Sequence, residues 1–310
     1  MGMIYSEKGA SDSISMTIEA RRIRCLVRAK EIKEDLNDER MQGVGWLQAA
    51  VLLHNAVVVS ILTYAAAAFI GMNNQQENSM ESIQRKALIE ILDISKTVTH
   101  KSLLFILGIL PIKDVVKKLK ICFINKLFHI KESGQCLETI KKDHIIGDIE
   151  GILTEVQQYC QEYKLPNVTE VYVDPEVIKD KIKKIAIDNL WLQHIKAKKP
   201  PKSIRRANLK PKFYASLPKN KAKLMLCYEL GELNLRQSRK AEAIKKYGST
   251  ECLVPFCREE DSWEHIQECP GYTSRLPNGW GPYQLIDYLV SLESERNRTF
   301  NKSLINFRSF

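Results

Sequence analysis

Apolar residues recur at helical intervals along nearly the whole chain, and runs that alternate like a strand are few. A short strand or hairpin is predicted at 3–9. Ser13 then caps a helix ending near Asn37, with Ile18, Ile23, Leu26, Ala29 and Ile32 as its apolar stripe and Arg21, Arg22, Arg24 and Arg28 facing elsewhere. A second helix covers about 45–70, and NNQQENS after Met72 reads as a polar loop. Ser79 starts a third helix with Ile83, Leu88, Ile91 and Leu92 on one side. Thr99 caps a short helix that Gly108 ends in the left-handed conformation, and Pro111 suits the first turn of a long helix through about Lys131. Two more helical stretches, 136–164 and 175–199, flank a break at KLPNVTEVYVDPE with room for a short strand. Prolines at 200, 201, 211 and 218 then exclude a continuous helix until one resumes over about 219–247.

The fold class is therefore mainly α. With 310 residues, 44% hydrophobic and 27% charged, the chain can bury a core without disulfide staples, and a collagen-like or largely disordered protein is excluded. No charged residue occurs from Met41 to Gln76. Its most apolar window, Ala56 to Ile70, is shorter than the roughly 20 residues a membrane span needs and is interrupted by Ser60, Thr63 and Tyr64, so a buried helix is expected rather than a membrane segment. The N-terminus shows no basic region followed by an apolar run. Together with cysteines scattered as small hydrophobes (Cys25, Cys122, Cys136, Cys160, Cys227), this points to an intracellular protein, nuclear or cytoplasmic and not secreted.

Charge is distributed unevenly. The net charge is +10, yet residues 196–223 hold eleven Lys/Arg and no acid, leaving 36 bases against 37 acids elsewhere. A local basic patch on a neutral protein suits a polyanion. Within it Lys196, Lys198, Lys199, Lys202, Arg205, Arg206, Lys210 and Lys212 are placed to neutralise phosphates, and Phe213 and Tyr214 to stack on unpaired bases. The expected partner is RNA or single-stranded DNA. Lys117, Lys118 and Lys120 offer a weaker basic face that reads as solvated, and Trp46 and Trp191 read as core.

The most specific chemistry is Cys252-x4-Cys257-x7-His265-x3-Cys269. A loop of two to four residues lets two thiolates reach one ion, and His265 and Cys269, four apart, lie on one face of a helical turn that Pro270 stops. Three thiolates and an imidazole form a closed tetrahedral set, so a structural Zn²⁺ is expected.

Four segments in order carry a family resemblance: GMIYSEKGASDSISMTIEARRIRCLVRAKEIKEDL; HNAVVVSILTYAAAAF; MESIQRKALIEILDISKTVTHKSLLFILGILPIKDVVKKLKICFINKL; and CLVPFCREEDSWEHIQECPGY. The chain resembles the C-terminal part of a non-LTR retrotransposon reverse transcriptase, from the end of the palm through the thumb to the terminal zinc region. Ala65 stands where the family usually has Gly after Leu-x-Tyr. The resemblance implies a thumb-like helical domain over 1–132, a helical connector ending in the basic extended segment over 133–218, and a C-terminal helical region with the zinc site over 219–310. It also implies contact with RNA, DNA or an RNA–DNA duplex, and an upstream palm domain as partner.

No catalytic residue is expected. Polymerases of this family need paired palm carboxylates to hold two metal ions, and no Asp-Asp occurs in this sequence. Asp143, Asp148 and Glu150 lie in a charged helix and read as solvated. Phosphate-binding Gly loops, His-Glu-x-x-His and Gly-x-Ser-x-Gly are also absent. The chain reads as a nucleic-acid-binding piece of such an element. The alternative is a helical protein-interaction module with a structural zinc site and a nuclear-import run.

Overall fold

The computed structural model describes residues 9–69, 71–129, 147–197, 217–230, 233, 249–254, 257–274 and 282–307. The hairpin expected at 3–9 lies almost wholly outside them. Among the described residues the chain is mainly α, with no strand beyond an isolated antiparallel bridge between Glu251 and Glu260. Two compact units result. The first takes Met1–Asn37, Ala49–Lys96 and His100–Ala197, and the second Asp38–Gln48, Thr97–Thr99 and Lys198–Phe310.

In the first unit, α1 spans Ala10–Asn37 and starts three residues before Ser13. Ser13 does not cap it; its hydroxyl donates to the Gly9 carbonyl at 3.0 Å. The buried stripe is Ile14, Ile18, Arg21, Cys25, Ala29, Ile32 and Leu36, while Ile23 is 59% exposed. Ile18, Ala29 and Ile32 of the expected stripe are buried, while Arg21 and Cys25 take the inward places expected of Ile23 and Leu26. Arg21 donates to the Leu62 carbonyl at 2.9 Å and lies 4.8 Å over the Phe69 ring. Leu62 sits in the last turn of a short helix, Ser60–Thr63, where carbonyls have no intrahelical partner, so the guanidinium gains an acceptor and a ring face there while its Nη2 stays unpaired.

The second predicted helix is α2 (Trp46–Leu53), a π-helical segment His54–Val59 and α3 (Ser60–Thr63), ended by Tyr64 and a left-handed Ala65 at φ 54°. By length and composition the run Trp46–Thr63 could cross a membrane, a test that the core helix of a soluble protein also passes. Its residues Ala50, His54, Val58 and Leu62 are buried along one face.

NNQQENS is not a loop. It opens α4, Asn74–Leu92, where the Asn73 side chain accepts from the Gln76 N–H at 2.9 Å and the Gln76 side chain accepts from the Asn73 N–H at 3.0 Å. This reciprocal capping box nucleates a helix whose first turns are solvated. The Gln76 amide also donates to the Ser11 carbonyl at 2.7 Å, tying α4 to α1. Further along, Ile83, Leu88, Ile91 and Leu92 are buried as the pattern predicts.

α5 covers His100–Leu107 and ends at Gly108, φ 64°, with Ile109 N–H donating to the Leu104 carbonyl at 2.9 Å. α6 follows from Ile112 to His129. Gln84, fully buried in α4, donates to the Leu110 carbonyl and accepts from the Ile112 N–H, both at 3.0 Å, so its amide satisfies the chain on either side of Pro111. Arg85 donates to the Lys96 carbonyl. Gln84 is therefore the hydrogen-bonded partner of the Leu-Gly-x-x-Pro-Ile segment, whereas Arg85 holds the turn that follows α4.

α7 (Gly147–Glu162) and α8 (Pro175–Ala197) pack on α6 within the same unit, sharing a core of Ile121, Ile124, Val156, Cys160, Ile178 and Ile182. The break between α7 and α8 holds no strand. Asn125 from α6 donates to the Val173 carbonyl at 2.7 Å and accepts from its N–H at 3.0 Å, which pairs those peptide groups without a neighbouring strand. Trp46 is buried as expected, but Trp191 is 45% exposed and rests on Phe105, with ring centroids 5.1 Å apart.

The second unit is built on α9 (Lys219–Glu229) and α11 (Pro282–Phe307), whose Met225, Leu226, Leu285, Leu289 and Leu292 are buried. Between them in sequence lies the short helix α10, Trp263–Glu268. Its Trp263 ring meets Tyr228 of α9 at 5.0 Å and Tyr288 of α11 at 6.1 Å.

Candidate metal centre

A tight backbone turn brings the first two cysteines together. Cys252 N–H donates to the Glu259 carbonyl at 2.8 Å and Asp261 N–H to the Thr250 carbonyl at 2.9 Å; inside this frame Cys257 N–H donates to Val254 at 3.1 Å. Ser262 then caps α10, its hydroxyl accepting from the His265 N–H at 3.0 Å. One turn later Cys269 lies over His265, and the Cys269 N–H donates to the His265 carbonyl at 2.7 Å. After Pro270 the chain passes Val254 so closely that a Cβ on Gly271 would sit 2.2 Å from Val254 Cγ1.

All four predicted ligands converge. Their donor atoms lie within 4.8 Å of one another, with Cys252 Sγ and Cys269 Sγ 3.8 Å apart and Cys257 Sγ and His265 Nε2 3.2 Å apart. A tetrahedron with metal–sulfur bonds of about 2.3 Å has a sulfur–sulfur edge of about 3.8 Å, so the buried pair already stands at ligand spacing. Cys252 and Cys269 are buried, whereas Cys257 and His265 are half-buried. This cluster could hold a metal ion.

In the metal-free protein, burial pushes the Cys252 thiol up to about 12. A bound dication inverts that preference, since the thiolate is the ligand and metal binding releases the proton. Around the cluster, Tyr272 is fully buried with its hydroxyl 3.9 Å from Cys252 Sγ. Arg296 of α11 donates to both oxygens of the fully buried Asp261, at 2.7 and 2.8 Å, and to the Tyr272 hydroxyl at 3.4 Å. The neighbouring Glu295 accepts from the Ser274 N–H and the Thr273 hydroxyl, both at 3.0 Å, and from the Thr273 N–H. Two consecutive residues of one helix thus hold the loop that follows the last ligand.

Sequence reasoning passed over Asp261 and Arg296, which lie 35 positions apart and match no ligand spacing; Tyr272 stood in the Cys-Pro-x-Tyr run without a role. Among the proposed nucleic-acid residues, Lys198, Lys199, Lys202, Arg205, Arg206, Lys210, Lys212, Phe213 and Tyr214 fall outside the described residues, and Lys196 has only its helical backbone within them. The solvated face expected on α6 is mostly internal. Lys120 is fully buried with its Nζ 2.8 Å from Glu155, and Lys117 donates to Glu162 at 2.7 Å. Tyr159 donates to the same Glu155 at 2.8 Å, and Tyr163 donates to buried Asp114, making this a packed polar network between α6 and the end of α7.

No family model, curated protein or solved structure matches the chain.

Proposed function

We propose that the chain is a nucleic-acid-binding module related to the thumb and terminal zinc region of a non-LTR retrotransposon reverse transcriptase. The observation that carries the reading is the convergence of Cys252, Cys257, His265 and Cys269, at the place where the resemblance calls for a zinc site. A Cys₃His set fills all four positions of a tetrahedral zinc and leaves none for a reacting water, so the metal's role is structural. The reading assigns no catalytic group, in keeping with a sequence that contains no Asp-Asp.

The basic segment supplies the contact. With Lys117 and Lys120 already paired to acids, the excess positive charge at 196–223 is the strongest remaining source of attraction for phosphates. If about five phosphates are neutralised on a single strand, log K falls with log salt at a slope of about −3.5, from about −0.7 per contact. A gel shift with single-stranded RNA over a series of salt concentrations measures that slope. Replacing Lys198, Lys199, Arg205 and Arg206 together by Gln should weaken binding and flatten it. Unchanged affinity and slope would return the segment to a linker or an import signal.

A further inference from the structure

The reading of the Cys₃His cluster as a zinc centre raises a question of charge. Three thiolates around one dication leave a net charge of −1, and two of the sulfurs, on Cys252 and Cys269, are buried. A buried anionic sulfur needs a donor. Cys252 Sγ accepts from the Val254 N–H at 3.5 Å, and a second set of groups able to add a donor lies together beside it. Tyr272 is fully buried with its hydroxyl 3.9 Å from the sulfur. The oxygen of that hydroxyl accepts from Arg296 Nη1 at 3.4 Å, and the guanidinium is fixed in plane by two bonds to Asp261 at 2.7 and 2.8 Å.

Direction matters in this chain of bonds. Arg296 has only donors to offer, so the tyrosine oxygen must accept from it, and the tyrosine hydrogen is left to turn toward Cys252. A thiol can donate to that oxygen in the metal-free state. A metal-bound thiolate has no proton, and the same contact then holds only if the hydroxyl donates to the sulfur.

We propose that Tyr272 is a positioning residue of the metal centre, oriented by the Arg296–Asp261 pair, and that its hydroxyl donates to the metal-bound Cys252 thiolate. The bond delocalises charge from the sulfur, lowers its nucleophilicity and holds the ligand in place. Through Arg296 it also makes α11 part of the centre. Hydrogen-bond partners of metal ligands commonly account for 10- to 100-fold in metal affinity.

The test uses the full chain with Tyr272→Phe, which removes one buried oxygen and keeps the ring. Zinc affinity, read by competition with a chromophoric chelator, should fall about 10- to 100-fold. With Co²⁺ as the probe, the sulfur-to-metal charge-transfer band should move to lower energy, because a sulfur lone pair without its donor lies higher. Arg296→Lys, which keeps the charge but loses the two-pronged grip on Asp261, should shift both readouts the same way by less. A wild-type cobalt complex without thiolate bands would overturn the zinc reading itself. A wild-type thiolate band that Tyr272→Phe leaves in place, with zinc affinity unchanged, would overturn the role of Tyr272 alone, whatever the variant does to thermal stability.

Discussion

Ala65 holds φ 54° and ψ 22° just past the end of α3, a conformation in which an L side chain crowds its own carbonyl at a cost of about 1–2 kcal/mol. The Ala65 side chain is exposed, so no packing is lost when it is removed. Glycine would relieve the crowding but enlarge the freedom of the unfolded chain by about 0.5–1 kcal/mol. The first effect is the larger, and Ala65→Gly should stabilise the first unit by about 0.5–1 kcal/mol, read as a higher urea midpoint; a lower midpoint would mean that the turn is not left-handed there. The sequence shows Ala65 only as a departure from the Gly that the resemblance implies, and carries no sign of its left-handed backbone. Nor was the burial of Arg21 legible there. Nothing local distinguishes it from Arg22, Arg24 and Arg28, and its burial depends on a carbonyl 41 residues away. Ile23 is exposed for the same reason, since the face that buries Arg21 cannot also bury a residue two positions on.

At the scale of elements, the run from Trp46 to Thr63 shows how an all-round apolar sequence conceals its buried face. Ala50, His54, Val58 and Leu62 are spaced by four, and in a regular α-helix that spacing drifts about 40° per step. The π-helical segment His54–Val59 widens the turn and keeps the stripe in line. It also places a histidine inside: His54 is fully buried with Nε2 unpaired, as is Nε2 of His100 in α5, and burial lowers both to about 4. Arg85, Lys101 and Lys113 further disfavour a proton on His100. The unfolded chain, titrating near 6.5, then binds protons that the folded one refuses, so stability is full above about pH 6.5 and falls as pH drops toward 4. At 1.36 kcal/mol per unit the loss is about 3 kcal/mol for each histidine. Urea unfolding between pH 7 and 4.5 should show this fall, and His54→Met should flatten it; identical pH profiles for variant and wild type would remove His54 as a cause. The start of α4 went unread for a different reason. Its Asn73–Gln76 box is a capping signal, but it precedes polar turns with no hydrophobic period to announce a helix.

For the molecule as a whole, the division into two units decides what metal loss should do. Every residue of the Cys₃His cluster and of the Tyr272–Arg296–Asp261 contacts belongs to the second unit, whereas the Gln84 corner, the Arg21 contact and the α6–α7–α8 core belong to the first. The ligand spacing was readable because local chain geometry dictates it. The division was not, since Asp38–Gln48 and Thr97–Thr99 join the second unit through contacts distant in sequence. Among the described residues of that unit the loops carrying Cys252 and Cys257 have the Glu251–Glu260 bridge as their one regular pairing, so metal–ligand bonds have to supply much of their order. Zinc binding by such small sites contributes folding free energy directly. Chelation of the purified protein, or Cys257→Ser, should therefore speed amide hydrogen exchange in residues 249–274 and in α11, which Glu295 and Arg296 tie to the loop, while α1, α4, α6 and α7 keep their protection. Loss of protection spread evenly over both sets of helices would show that the units share one cooperative transition. Exchange that chelation leaves unchanged at 249–274 would show that the hydrogen bonds and the Trp263 aromatic contacts hold the loop without an ion, and the convergence of the four ligands would then lose its structural role.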